Sequence, residues 1–438
     1  MHQHFRRNLM ALAIAAALGG ASGLASAAGF ALIEQSGSGM GNAYAGAAAS
    51  AEDASTVFFN PAGMSFLQGP QAVAAAHVIS LSAEFSGTAT NPAALGGGAA
   101  TGGTGGDAGG AAVVPNLYFT MPVGERLSLG LGVNVPFGLT TEYDDTWVGR
   151  FQGIKSELTT ININPSIAYK FSDSFSIGAG VNYQMLDAEL TNAVVLGALT
   201  EGRTKLEADD DAWGWNIGVM FQVTPMTRIG VAYRSEIKYE LEGTVTTTLG
   251  GTVVGPASGP TGAEVTLPDM FSLSLAHTMS DRLQLLADIS RTGWSSVGQI
   301  PIVNTTNGTL RDNLVLDFDD SWRYSVGANY KLNDTWVLKG GLAYDETPVK
   351  GATTRSVRLP DNDRIWVSFG GQMKVGQKGR LDLGYSHLFI DDAEINNTRS
   401  QQAPGLTTPT PAPGTASTVT GNYEGAVDIF SVQYTHSF

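Results

Sequence analysis

The sequence AGFALIEQSGSGMGNAYAGAAASAEDASTVFFNPAGMSFL occupies residues 28–67, and the rest of the chain can be understood from it. It is short and rich in Gly, Ala and Ser, so it cannot bury enough apolar surface to form a core of its own. Yet it ends in a cluster of apolar side chains, Val57, Phe58, Phe59, Met64, Phe66 and Leu67, that a disordered tail would expose to water. We therefore predict that residues 28–69 form a plug held inside a larger structure.

The 27 residues before this segment have the features of a signal peptide. Arg6 and Arg7 precede an apolar run from Leu9 to Leu18, and small residues at positions 25–27 suit a signal peptidase. The apolar run is shorter than the about 20 residues that a membrane-spanning helix needs. We predict that residues 1–27 are removed and that the mature chain begins at Ala28.

Composition excludes several classes of protein. The chain contains no Cys, which excludes disulfides, thiolate metal sites and a lipid-modified N-terminal Cys. Its formal charge of −15 becomes −17 when the leader, with its two arginines and no acid, is lost. An acidic chain without runs of basic residues binds nucleic acid poorly, so we expect no nucleic-acid partner.

The remainder of the chain alternates between apolar and polar residues, which is typical of β-strands. Trp322, Tyr324 and Val326 lie on one face of a predicted strand, whereas Arg323 and Ser325 lie on the other. Similar alternation recurs at residues 175–185, 364–374 and 430–438. A soluble sandwich also alternates, so other features must separate the two cases.

Three such features favour a membrane barrel. Six short turns recur between long loops, which predicts about 14 antiparallel strands within residues 70–438. The last strand ends in Phe438, resembling the terminal aromatic residue that the barrel-assembly machinery reads. Aromatic residues also gather near the strand ends, as the two interfacial girdles of such barrels require. The predicted girdles are Trp147, Trp213, Trp294, Trp322 and Trp366 at the long-loop ends, and Phe171, Phe175, Tyr330, Trp336 and Tyr434 at the short-turn ends.

These observations predict an all-β transmembrane barrel in the outer membrane of a Gram-negative cell, in contact with membrane lipid and lipopolysaccharide. A closed barrel of this size leaves a lumen that must be water-filled or plugged. We expect residues 28–69 to fill it as an N-terminal hatch. Among the long loops, we predict one that is acidic at residues 191–211.

The mature N-terminus, with its Asn60-Pro61-Ala62 triplet, resembles the hatch of the FadL family of outer-membrane transporters for long-chain fatty acids, whose TodX-type relatives carry aromatic hydrocarbons. Further similar segments are PNLYF at 115–119, PFGLTTEYDDTW at 136–147, WGWNIG at 213–218, YRSEIKYELEG at 233–243, WRYSVG at 322–327, YDETPV at 344–349 and LPDNDRIWVSFG at 359–370. The resemblance implies a monomeric barrel of fourteen strands, an outer groove, a deeper apolar pocket and lateral release of ligand through the wall. It also implies a hatch rearrangement near Phe30 and residues 60–62.

Strand three carries the first candidate site. Pro136 and Gly138 interrupt its alternation, because proline cannot donate to the ladder and glycine weakens it. The family has a lateral opening at a kink in this strand, which makes Phe137 and Gly138 matched positions. The residues alone are also compatible with a second interpretation, in which Pro136 simply ends the strand before a loop.

Lumen cations form the second candidate site. A fatty-acid carboxylate needs a cationic partner in an apolar pocket, and alternation places Arg323, Lys339 and Arg364 on the lumen side. They could equally pair with lumen acids such as Asp288 and Asp382. For the outer groove, the apolar stretch at residues 193–199 is a candidate.

We expect no enzyme, no catalytic residue, no metal site and no cofactor, because the four histidines after the leader are isolated and no nucleotide motif is present. The predicted function is passive transport of hydrophobic molecules, most simply long-chain fatty acids. Aromatic or alkane hydrocarbons remain an alternative cargo. A general aqueous porin and a structural barrel remain alternatives of another class.

Overall fold

The computed structural model describes residues 29–438, so the predicted leader lies outside the described residues. The strand segments are β1 Gln71–Ala89, β2 Gly110–Val123, β3 Leu127–Asn134, β4 Gly138–Glu142, β5 Lys155–Ser172, β6 Phe175–Gly197, β7 Thr200–Thr224, β8 Thr227–Arg234, β9 Ile237–Leu249, β10 Thr252–Val253, β11 Gly259–Leu267, β12 Met270–Thr278, β13 Leu283–Thr292, β14 Gln299–Val303, β15 Leu310–Val315, β16 Ser321–Lys331, β17 Trp336–Asp345, β18 Arg364–Val375, β19 Gly379–Ile390, β20 Ala393–Arg399 and β21 Ser417–Ser437.

Fourteen of these segments form one closed antiparallel barrel, which confirms the predicted fold class. The order around the wall is β1, β2, β3, β5, β6, β7, β8, β12, β13, β16, β17, β18, β19 and β21. The barrel closes where β21 pairs with β1, from Ser437 opposite Gln71 to Val419 opposite Ala89. Closure pairs the first strand of the wall with the last, so the sheet has no free edge strand, as lipid requires.

Alternation sets the two faces of the wall as predicted. In β18, for example, Phe369 is 61% exposed while its neighbour Ser368 is fully buried. Phe369 points outward to the lipid and Ser368 inward to the packed lumen. The same split holds in β16, where Trp322 and Tyr324 are exposed and Arg323 is buried.

The remaining segments extend the wall above the membrane. β4 continues strand three after an interruption, and β9, β11, β14 and β15 form a sheet that starts from β7. β20 pairs with the upper part of β21. This extension covers the lumen from the long-loop end.

The prediction of an acidic loop at residues 191–211 was wrong, because β6 and β7 continue as a paired hairpin up to Gly197 and Thr200. The reason is an inversion of polarity along the two strands. Within the membrane the apolar side chains face outward. Beyond it they face inward, as Leu186 and Leu206 do, while acidic residues such as Glu207 face the water.

The prediction of an outer tryptophan girdle was correct in only two positions. Trp213 and Trp322 are exposed on the outer surface, but Trp147, Trp294 and Trp366 are fully buried inside. Trp366 shares the lumen face of β18 with Arg364, and Trp294 lies in a 3-10 helix, Trp294–Ser296, beyond the end of its strand. Position near a strand end therefore does not determine which face a side chain occupies.

The hatch, residues 29–69, lies inside the barrel and consists of short turns of helix. These are α1 Gly37–Met40, α2 Ala47–Ser50 and α3 Thr56–Phe59, followed by a 3-10 helix at Pro61–Phe66. Most of its residues are buried against the inner wall. The lumen is thus plugged, which distinguishes the chain from an open aqueous pore.

Candidate functional site

Strand three is interrupted at residues 135–137, and the start of the hatch fills this break. The Leu32 amide donates to the Pro136 carbonyl at 2.8 Å, and the Gly138 amide donates to the Phe30 carbonyl at 2.9 Å. Ala31 lies opposite Phe137 as an antiparallel bridge between these two bonds. The hatch therefore supplies backbone partners that the interrupted wall lacks.

An aromatic cluster covers the same place from inside. The Phe30 ring lies 4.6 Å from that of Trp294 and 6.1 Å from that of Phe137, both in edge-to-face contact. Trp294 packs in turn on Phe318. Phe30 is only 4% exposed, so it is a core side chain of the whole molecule and not a loose terminus.

An apolar cavity of about 100 Å³ lies above this cluster, with Phe30 in its lining. Most of the lining is aliphatic and comes from the upper strands and the residues that follow them, including Leu139, Leu186, Leu206, Leu241 and Leu316. Such a surface selects a ligand by size and shape. The cavity is smaller than the roughly 300 Å³ at the lower end of ordinary ligand sites, so a long ligand must move part of the lining.

An outer groove of about 470 Å³ lies among the extracellular segments. Apolar side chains line part of it, and the predicted stretch at residues 193–199 contributes Val194, Val195 and Leu196. Three arginines also line it, Arg311, Arg358 and Arg399. Arg358 lines the apolar cavity as well, so this residue lies where the two spaces meet.

Sequence reasoning missed Arg358, which lies in the loop before β18, one residue before the segment that carries the family resemblance. Its terminal nitrogens donate to Lys155 O and Ser156 Oγ at 2.9 Å, and to Thr191 O and Asn192 Oδ1 at 3.2 and 3.3 Å. Burial, with a smaller contribution from Arg399, lowers the pKa of its guanidinium to about 9, so the group stays charged at neutral pH. Alternation could not have found it, because a loop residue has no predictable face.

The three predicted cations all face the lumen, but the structure connects them to the hatch and the wall. Lys339 Nζ donates to Ser38 O at 2.8 Å and to Glu52 Oε1 at 2.6 Å, and it lies 3.2 Å from Asp382 Oδ1. The Asp382 contact is the alternative that the sequence left open. Lys339 does not line the apolar cavity.

Arg364 and Arg323 also lie away from the apolar cavity. Arg364 pairs with Asp361 and lies 4.0 Å from Asp345. Arg323 donates to Ala43 O at 2.9 Å and stacks over Trp366, and it borders a separate small cavity between hatch and wall. These positions favour hatch docking over ligand contact.

Asn60, Pro61 and Ala62 hold the hatch against the wall. Asn60 is fully buried, and its Nδ2 donates to Ala48 O at 2.8 Å and to Val219 O at 3.0 Å. Its Oδ1 accepts from the Ala62 amide at 3.1 Å, so it also caps the 3-10 helix at Pro61–Phe66. The triplet contacts the barrel at Gly178 and Gly218, and none of its three residues lines the apolar cavity.

Within residues 29–438, no group of three or more histidines and acidic residues is placed to hold a metal ion. No helix in the described part of the chain is long and apolar enough to cross a membrane.

A closed barrel of fourteen strands with a docked hatch and an apolar lumen cavity defines a plugged transporter for hydrophobic compounds. The chain belongs to the outer membrane protein transport protein family (OMPP1/FadL/TodX), whose model matches residues 19–438. The members of this family are transporters of the outer membrane and not enzymes, which confirms the predicted location and class.

Named relatives and solved structures agree with this assignment. The chain is 32% identical to outer membrane protein P1 of Haemophilus influenzae, over 88% of this chain and 90% of that protein. It is 29% identical to the long-chain fatty acid transport protein of Escherichia coli K12, over 88% and 93%. A Pseudomonas aeruginosa FadL homologue superposes with a TM-score of 0.85 at 24% identity, over 94% of this chain and 100% of that one. The Ralstonia pickettii toluene transporter TbuX has the same fold, with a TM-score of 0.67 at 19% identity, over 93% and 100%.

Proposed function

We propose that this chain takes up long-chain fatty acids by passive diffusion, and that the ligand leaves sideways through the break in strand three. The observation that carries the proposal is the position of Phe30. Its ring lines the apolar cavity, and its carbonyl closes the break through Gly138. A ligand that displaces Phe30 from the cavity therefore also removes the hatch from the wall.

The route begins in the outer groove, which offers apolar side chains at the extracellular end. From there the ligand enters the apolar cavity, where a full alkyl chain needs more volume than the closed state provides. Movement of residues 30–32 supplies that volume and frees the gap at Pro136 and Phe137. The exit leads into the membrane, so no energy source is needed.

Aromatic hydrocarbons are the second candidate cargo. An apolar cavity accepts them as readily as an alkyl chain, because its lining discriminates weakly between apolar groups. The two cargoes differ in their head groups, since a hydrocarbon needs no charged partner.

The test is uptake of radiolabelled oleate and of toluene by cells in which this chain is the only such transporter. Ala208 lines the apolar cavity, so Ala208→Phe should fill it and abolish uptake of the cargo. Ala179 faces outward on the neighbouring strand, and Ala179→Phe is the matched control that should retain uptake. Uptake by Ala208→Phe that is as high as uptake by Ala179→Phe and by the wild type would show that the cargo does not pass through the cavity.

We further propose that the barrel works as a monomer, surrounded by membrane lipid and lipopolysaccharide, after insertion by the barrel-assembly machinery. Phe438 is 63% exposed just past β21, where a receptor could bind it before the barrel closes. We expect Phe438→Ala to lower the amount of folded protein in the membrane. Normal yields of folded barrel would argue against recognition of this residue.

A further inference from the structure

The outer groove carries positive charge in an otherwise acidic protein. Arg311, Arg358 and Arg399 line it together with a single acid, Asp312. Arg399 is paired with Asp312, so that charge is compensated. Within residues 29–438, Arg311 and Arg358 form no ion pair with a carboxylate.

Arg358 is the more deeply placed of these two arginines, at 4% exposure. Four of its contacts go to uncharged acceptors, which satisfy N–H groups without neutralising the charge. Its Nε is buried and has no hydrogen-bond partner in the part of the chain that the structure describes. A buried charge without a counter-ion is costly, so its position at the junction of two ligand spaces calls for an explanation.

The nearest acid in the cavity lining does not supply that counter-ion. Glu157 borders the apolar cavity, but its carboxylate lies 2.6 Å from Lys155 Nζ. Apart from Ser156, which accepts a hydrogen bond from Arg358, and Thr261, the remaining lining is apolar and includes Leu190 and Leu359. The junction thus combines one uncompensated cation with an apolar space on its inner side.

We propose that Arg358 binds the carboxylate of an incoming long-chain acid, with the alkyl tail in the apolar cavity and directed toward Phe30. This inference rests on the proposed transport function and assigns anionic amphiphiles, and not neutral hydrocarbons, as the preferred ligands. Nε is the donor that the other contacts leave over, and because it is enclosed in the closed state, the ligand must displace part of the lining to reach it. A charge-assisted bond to a carboxylate is among the stronger polar contacts that a protein forms. Arg358 is therefore a specificity-determining residue at the boundary between the outer groove and the apolar cavity.

The experiment compares two ligands that differ only in the head group. The protein is reconstituted in lipid nanodiscs, and equilibrium binding of radiolabelled oleate and of oleyl alcohol is measured for the wild type, Arg358→Gln and Arg358→Lys. Arg358→Gln should weaken oleate binding by about tenfold or more and change oleyl alcohol binding by less than about twofold. Arg358→Lys keeps the charge and should recover part of the preference for oleate.

Arg355→Gln is the matched control. Arg355 is equally buried in the same loop and bonds to Asp361 O and Glu394 O, but it lines neither the groove nor the apolar cavity. Only variants that retain the heat-modifiable mobility of a folded barrel are compared. This control separates loss of the head-group contact from loosening of the loop.

Three results would overturn the inference while leaving the transport function intact. They are equal weakening of both ligands by Arg358→Gln, no weakening of oleate, and an equal loss of head-group preference in Arg355→Gln. Binding of neither ligand by the wild type would instead contradict the proposed function, and this inference with it. The two failures are therefore distinguishable.

Discussion

Glu34 is an acid in the middle of the hatch, only two residues beyond the segment that fills the break. It is 1% exposed, and its Oε2 has no hydrogen-bond partner among the described residues. Burial raises its pKa to about 7, although Arg323 and Arg364 oppose that effect. Asp345, the acid among the charged groups acting on it, adds to the rise.

The raised pKa of the Glu34 carboxyl group predicts that docking of the hatch depends on pH. A pKa raised from 4.5 to about 7 means that the docked hatch favours the protonated acid, so docking is strongest in acid and weakens as pH rises through 7. The full effect is roughly 3 kcal/mol. At pH 8, Glu34→Gln should therefore slow hydrogen exchange of the hatch amides relative to the wild type, and at pH 4 the two proteins should exchange alike. Equal exchange at both pH values would show that Glu34 does not oppose docking.

Most of the residues at the break could be predicted from the sequence, whereas two residues of the adjoining aromatic cluster and cavity could not. Phe30, Phe137 and Gly138 were recognised from the resemblance and do meet in the structure. Trp294 and Arg358 were missed, because both lie in non-strand segments that reach the site only through the tertiary fold. The alternation of apolar and polar residues predicts which way a side chain faces only within a strand, and not in the segments between strands.

At the scale of elements, the hatch docks because glycines on the inner wall allow its backbone to approach closely. A Cβ added at Gly218 would lie 2.0 Å from Asn60 Oδ1, and one at Gly178 would lie 2.4 Å from the Ala62 amide nitrogen. Gly341 is equally close to the backbone of Asn42, at 2.2 Å. The alternation of the sequence hides this complementarity, since it predicts only that these glycines face inward.

Gly218→Val is expected to release the hatch, because the added side chain overlaps Asn60 and Pro61. Ion conductance in planar bilayers should then rise well above that of the wild type, since the lumen no longer holds its plug. Gly340→Val is the control, because a Cβ at Gly340 meets no atom within 4 Å. Low conductance in a folded Gly218→Val barrel would mean that the wall contact at Asn60 is not needed to keep the hatch in place.

The strand count and the facing of the membrane-level strands could be predicted, whereas the extracellular extension could not. The acids of residues 191–211 predict a loop because they suit a water-exposed segment. In the structure Glu207 and Asp209 lie on one face of a hairpin whose other face, with Leu190 and Leu206, lines both ligand spaces. The polarity of a strand face indicates whether that face contacts lipid, water or the protein interior. In this protein the outer face of a single strand contacts lipid within the membrane and water beyond it.

At the scale of the whole molecule, the hatch connects ligand binding in the lumen to the wall. Phe30 borders the apolar cavity, residues 30–32 bond to the break, and Asn60 anchors a later part of the hatch to β7. Because strand three is interrupted at the point that residues 30–32 cover, we propose the break as the lateral exit. Lateral release therefore requires that residues 30–32 leave the break during transport.

A reversible cross-link tests this requirement directly. Ala31 and Phe137 form a non-hydrogen-bonded antiparallel pair, in which Cα atoms lie about 4.5 Å apart and a disulfide can form. The chain has no native cysteine, so Ala31→Cys combined with Phe137→Cys creates a single possible bridge. The measurement is oleate uptake by cells expressing the double variant, oxidised and then reduced. We predict that uptake is lost when the bridge forms and returns on reduction, whereas undiminished uptake with the bridge fully formed would contradict lateral release through the break.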